Sequence, residues 1–306
     1  MKIKRMPYLF VILSICVMSI GGRAFPQNTT PDKYAPVKVT DGIYRIRNFG
    51  CNIAVMIGDD GVLIIDTGDQ AAALKTDSVI KTISNMPVRY VMNTHYHYDH
   101  VGGNKKLSDN GAVIVAQENT RQRMLKEWNV PSVAGVKNPV IPPYSEDYLP
   151  KICFRDSITI YLNKDTIQGI HFLNCHSDSD VIYFFRKANV IHTGDLFLSN
   201  GFPIIDIYNG GSIDGYIRAV DNIISLCDER TIIIPGHGAV SDRQGLVDYR
   251  NMLSTARTNI EKLIKEGKTL DQVTASDPTK DLFKGGKSWL PAPMFIDVVY
   301  KELSKK

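Results

Sequence analysis

Residues 91–100 constrain this chain more than any other stretch; they read VMNTHYHYDH. Four of them carry metal-binding groups: His95, His97, Asp99 and His100. The apolar run 88–92 leads in and Gly102-Gly103 follows, which predicts a buried strand running out into a ligand-bearing loop and then a helix. Side chains two apart on an extended segment point to the same side, so His95 and His97 can grip one ion together. Asp99 and His100 come further round the turn and suit a second ion beside the first. Imidazole and carboxylate donors favour zinc, with iron or manganese as alternatives. Incidental histidines in a polar loop are a poor explanation: of seven histidines in 306 residues, three fall within these ten.

The first 24 residues read as an export signal. Lys2, Lys4 and Arg5 form a charged start, residues 8–20 are apolar but short for a membrane span, and Gly22-Arg23-Ala24 offers small residues for cleavage after Ala24. Leu13-Ser14-Ile15-Cys16 makes a poor lipidation box because Ile15 is bulky. The expected mature protein is periplasmic or secreted, with no membrane association after signal removal. Its charge follows from the same cut. The formal +4, from 36 basic against 32 acidic residues, is carried by Lys2, Lys4, Arg5 and Arg23, so the mature chain is near neutral. No basic block remains to recommend a nucleic acid, which leaves a small-molecule substrate as the expected partner. Cys51, Cys153, Cys175 and Cys227 are scattered and do not resemble a disulfide framework, although one bridge stays open.

Residues 25–36 are polar and proline-punctuated, a loose N-terminal tail, and residues 37–306 are expected to form one domain with a helical C-terminal region. Hydrophobic patterning predicts strands at 42–47 and 52–57, joined by Asn48-Phe49-Gly50-Cys51, and then at 62–65, 88–92 and 113–116, with helices at 70–85 and 118–128. Residues 129–150 hold five prolines and no sustained period, and are expected either to border the active-site cleft or to form a plain surface excursion. Strands at 157–162, 166–173, 181–185, 189–192 and 231–234 follow, with helices at 213–226, 243–265 and 293–303. Two runs of strands, each with helices after it, imply an α/β protein with two sheets packed face to face and helices outside.

Three later motifs complete the ligand set. Asn174-Cys175-His176, His192-Thr193-Gly194-Asp195 and Pro235-Gly236-His237-Gly238 each begin where an apolar strand ends, which is where loops on a rigid scaffold carry function. With the central loop they give seven candidates, enough for two ions. His171 and His192 are read as packing residues, Tyr96 and Tyr98 as facing away from the ligands, and Asp178 as either a supporting hydrogen-bond partner or a cap.

The pattern HYHYDH, then His176, Asp195 and His237, resembles the metallo-β-lactamase superfamily, from the early strands through Asp66-Thr67-Gly68 to the last ligand. The resemblance implies a four-layer αβ/βα sandwich holding two Zn2+. His95, His97 and His176 would hold one ion and Asp99, His100 and His237 the other. Asp195 would bridge them, and Asp66 would order the ligand loop. It further implies an exported dizinc hydrolase in which a metal-bridging hydroxide attacks a cyclic amide or ester carbonyl, with Asp99 orienting the nucleophile and passing on its proton. Alternatives are a lactonase or esterase, an iron-containing redox member of the same fold, and a non-enzymatic zinc-binding protein. Two departures narrow the branch. Many zinc β-lactamases carry a cysteine where Asp195 stands, and glyoxalase II and the lactonases follow this histidine with Thr-Pro-Gly-His, where this chain has Ser177-Asp178-Ser179-Asp180. The pattern is closest to periplasmic β-lactamase-like hydrolases with a bridging aspartate, without a recognisable lysine for a drug carboxylate.

Overall fold

The computed structural model describes residues 34–48, 50–129 and 140–305. The export signal, most of the N-terminal tail, Phe49 and the middle of the proline-rich stretch lie outside the described residues. The first sheet contains β1 (Val37–Thr40), β2 (Ile43–Asn48), β3 (Cys51–Met56), β4 (Val62–Ile65), β5 (Val88–Met92) and β6 (Val113–Gln117). After a small ribbon of β7 (Trp128–Asn129) and β8 (Val140–Ile141), β9 (Ile152–Phe154) closes its far edge, giving the order β1-β2-β3-β4-β5-β6-β9. Strands β1 to β4 pair antiparallel, and β4, β5, β6 and β9 run parallel. A parallel pair needs a crossover. Helix α1 (Ala73–Ile83) supplies the first, α2 (Tyr98–Val101) with α3 (Asn104–Asp109) the second, and α4 (Glu118–Met124) lies in the third.

The second sheet runs in chain order through β10 (Ser157–Leu162), β11 (Asp165–Phe172), β12 (Asp180–Phe185), β13 (Val190–His192), β14 (Ile232–Ile234) and β15 (Ser241–Asp242). Its parallel pair, β13 with β14, is joined through α5 (Ile213–Leu226). Helices α6 (Arg243–Lys265), α7 (Leu270–Ser276) and α8 (Ala292–Leu303) follow.

Strands β3, β4 and β12 are buried along their whole length, as expected where both faces of a sheet are covered. Their side chains alternate between two cores. Ala54, Met56, Leu63 and Ile65 meet Val181, Tyr183 and Phe185 between the sheets. Ile53, Val55, Val62 and Ile64 face outward onto Val79, Ile80 and Leu107 of α1 and α3. On the other side, Ile182, Ile191 and Ile233 pack on Tyr216 and Val220 of α5 and Leu246 and Leu253 of α6. The layers are therefore helix, sheet, sheet, helix.

Three local expectations change. The helix after β6 stops at Met124, and Trp128 belongs to the ribbon instead of a third turn, because its indole is held at the ligand cluster described below. Strands β1, β9 and β15 and helix α7 were not anticipated; β9 has only three residues, all at least partly exposed. Cys51, Cys153, Cys175 and Cys227 are all free thiols. Among the described residues, no helix is long and apolar enough to cross a membrane.

Candidate metal centre

The seven ligand-type side chains follow β5, β11, β13 and β14, at the strands' C-terminal ends. His95, His97, His176 and Asp195 bring one donor atom each within 4.8 Å of one another, and Asp99, His100 and His237 form a second such group. Asp195 lies between the two. Its Oδ2 is 3.7 Å from His176 Nε2 and 4.0 Å from His95 Nε2, while its Oδ1 is 3.3 Å from His100 Nε2 and 3.4 Å from His237 Nε2. Asp99 Oδ2 faces the same two nitrogens of the second group at 3.6 and 3.3 Å. The approach depends on glycine: a Cβ on Gly236 would stand 2.0 Å from Asp195 Oδ1.

Hydrogen bonds on the far side of three rings aim a lone pair inward. His95 Nδ1 donates to Thr94 Oγ1 at 3.0 Å, since that hydroxyl itself donates to Asp66 Oδ2 at 2.8 Å. His100 Nδ1 donates to Asp66 Oδ2 at 2.8 Å, and His176 Nδ1 to the Ile204 carbonyl at 2.8 Å. His97 turns Nε2 towards Asp206 Oδ2 at 3.5 Å and places Nδ1 3.0 Å from His176 Nε2. Fixing one ring nitrogen as donor leaves the other free to ligate. Asp66, at a positive φ of 62° after β4, also accepts from the Thr94 backbone N–H at 2.7 Å, so it ties β4 to the start of the ligand loop.

This donor set fits a metal. His95 Nε2, His100 Nε2 and Asp195 Oδ1 are buried without a hydrogen-bond partner. Each such orphan costs about 1–3 kcal/mol, and a cation in each group would account for them.

The electrostatics of the two groups differ. Burial pushes His95, His97 and His176 below the ordinary imidazole range, to a position well below it for His95. Burial also opposes a charge on His100 and His237. There it is outweighed: Cys51, Asp195, Asp99 and Asp66 raise His100 well above its usual value, and Asp195 and Asp99 lift His237 to about 10. In turn, burial works against ionised Asp99 and Asp195, but His100 and His237 hold Asp99 at about 2 and Asp195 well below the carboxylate range.

The structure also places residues that had no clear signal. Asp206, fully buried, accepts from Tyr96 Oη at 2.5 Å, Trp128 Nε1 at 3.2 Å and Asn209 Nδ2 at 2.9 Å. A lone acid within Ile204-Ile205-Asp206-Ile207 was the available clue. The chain has two tryptophans, and both stack on ligand-type histidines: Trp128 on His97 (4.3 Å, 9°) and Trp289 on His237 (6.1 Å, 21°). Nothing in the sequence around Trp289 signalled this. Tyr96 packs against Trp128, and Tyr98 lies 6.2 Å from the same ring. His192 is buried, donating to the Asn52 carbonyl at 2.9 Å, and His171 lies on β11 with Nε2 3.0 Å from the Asp178 carbonyl. Asp178 pairs with Arg123 at 2.6 Å, which also donates to Asn209; it neither caps a helix nor touches a ligand.

The sequence profile of the metallo-beta-lactamase superfamily matches residues 46–237, which contain the whole cluster. Among curated proteins, the chain is 24% identical over 249 residues to the probable metallo-hydrolase YqjP of Bacillus subtilis (strain 168), covering 70% of this chain and 76% of that protein. It is 22% identical to metallo-beta-lactamase IND-1 of Chryseobacterium indologenes (65% and 76% covered). It is 35% identical over 182 residues to a hydroxyacylglutathione hydrolase (glyoxalase II) of Pelagibacter ubique (57% and 64% covered). That match tells against setting the glyoxalase branch aside on residues 177–180 alone. Among solved structures, the sec-alkylsulfatase Pisa1 from Pseudomonas sp. superposes with a TM-score of 0.68 at 14% identity, over 88% of this chain but only 50% of that one, and so supports the fold alone. With a profile match over more than half its length and a cluster of seven His and Asp side chains inside that match, the chain belongs to the metallo-beta-lactamase superfamily.

Proposed function

We propose that this protein is an exported hydrolase that holds two zinc ions and opens a cyclic amide or ester. The observation that carries this reading is Asp195, whose two carboxylate oxygens face two different sets of ligands. His95, His97 and His176 would hold one ion, Asp99, His100 and His237 the other, with Asp195 between. Bound zinc supplies Lewis-acid polarisation of a carbonyl and an activated water at neutral pH. The side chains set where that chemistry is accessible. Those of His95, His100 and His176 are at most 1% exposed, whereas Asp99 and His237 are 18% and 15% exposed, so a substrate enters on the Asp99–His237 side. Asp99, held ionised, is placed to orient a nucleophile and to take and return its proton. Trp128 and Trp289 bound the cluster with apolar surface suited to an organic substrate. The charged and then apolar sequence of residues 1–24, which reads as an export signal, supports export.

The test is hydrolysis of a chromogenic cephalosporin, a simple lactone and a thioester by the purified zinc-loaded protein. Turnover should vanish with a chelator, return with zinc, and fall about a hundredfold or more in Asp99→Asn. A thioester is the second reading, favoured by the 35% identity to a hydroxyacylglutathione hydrolase. Protein purified with iron and inert towards all three substrates would sink the hydrolase reading and favour the redox one.

A further inference from the structure

Asn52, fully buried at the second position of β3, puts its hydrogen-bonding groups on the ligand loops of the opposite half of the chain. Its backbone N–H donates to the Gly236 carbonyl at 2.8 Å. Its side-chain Nδ2 donates to the carbonyls of Pro235 at 2.8 Å and Gly238 at 3.0 Å. Its own carbonyl accepts from His192 Nε2 at 2.9 Å, and Arg45 Nη1 reaches both Asn52 Oδ1 and the Gly238 carbonyl at 3.4 Å. One residue of the first sheet therefore binds the carbonyls on both sides of His237. The loop it grips is also anchored from its own half, where the Ser199 N–H donates to the His237 carbonyl at 3.1 Å and the Gly236 N–H to the Gly194 carbonyl at 2.8 Å, and Asn52 adds the hold from the first sheet. His237 stands between two glycines, one of them at a φ of +100°, so the local backbone does little to fix the ring. His95 and His97 differ, because they follow β5 directly and Asp66 pins the loop at Thr94.

We infer that Asn52 is a positioning residue for His237 and that, through it, Asn52 sets how well the Asp99–His100–His237 group holds its ion. This rests on the two-metal reading above. An aspartate keeps the shape but has no N–H to give to Pro235 and Gly238, so Asn52→Asp releases the loop while leaving the other group untouched.

The experiment is equilibrium dialysis of the full mature chain against buffered free zinc, with bound metal counted by mass spectrometry and His95→Ala and His237→Ala as references. Wild type should fill in two steps. Asn52→Asp should need about tenfold more zinc or more for the step that His237→Ala removes, and within about twofold as much for the step that His95→Ala removes. A merely structural defect would move both steps together, and that result would overturn the inference, as would a variant that fills like wild type. Should Asn52→Asp fail to fold, Arg45→Met, which loosens the same clamp, should shift the same step a few-fold; no shift there would also overturn it. A wild type that never takes a second zinc would overturn both this inference and the two-metal reading, and is recognised without any variant.

Discussion

The two halves of the cluster contain similar atoms in unlike surroundings. On one side, His95, His97 and His176 face mainly one another, almost wholly buried, with the outer nitrogens of His95 and His176 bonded to Thr94 and a backbone carbonyl and that of His97 facing Asp206. On the other, His100 and His237 face two carboxylates, Asp99 and Asp195, and the rim is open to solvent. Burial dominates in the first group and makes it a neutral nitrogen cage. Paired charge governs the second, which holds protons where an ion would sit. A set of three ring nitrogens binds a metal without first giving anything up; a set built of ion pairs must release its protons. The buried half is thus built to keep its ion, and the open half to exchange and do chemistry.

Four experiments would break or sharpen that contrast. The largest effect is expected from Asp195→Ala, which removes the group common to both halves: zinc affinity should fall more than about a hundredfold at both, as read by competition with a chromogenic chelator. Loss at one half only would mean that Asp195 does not join them. Next comes pH. Because the folded protein holds His100 protonated above the neutral range and His237 up to about 10, metal uptake on that side displaces two protons, and affinity should climb by up to about a hundredfold per unit as pH rises through the neutral range. The three-histidine side, already neutral, should stay flat there and weaken only in acid. Asp206→Asn should then weaken the His97 side by about tenfold and leave the other within about twofold, because it disturbs the orientation of one ring. The smallest effect belongs to Trp289→Ala. Metal content should not change, while KM for an aromatic ester should rise about fivefold with kcat nearly constant, the mark of lost apolar contact shared by ground and transition states.

Much of this centre was legible because its ligands sit where apolar strands end. Strands Val62–Ile65 and Val88–Met92 and helices Ile213–Leu226 and Arg243–Lys265 have the bounds that their hydrophobic periods imply. The ligand types at 95–100, 176, 195 and 237 follow directly from those ends. What was not legible came from contacts between distant segments. Trp128 extends a helical period, yet stacking on His97 and a hydrogen bond to Asp206 draw it into the ribbon, so tertiary contact overrides local propensity. Trp289 reaches the cluster because its backbone N–H bonds to the Asn200 carbonyl at 3.2 Å, a pairing no local pattern encodes. Asn52 reads as one more polar residue on a strand until Pro235 and Gly238 are seen beside it.

The most direct test of two unlike halves sharing one acid is calorimetric titration of the metal-free protein with zinc, repeated in buffers of different ionisation enthalpy. Two binding events are expected, one releasing almost no proton near pH 7 and one releasing about two protons per zinc, from His100 and His237. A single event, or two events with the same proton release, would contradict the account.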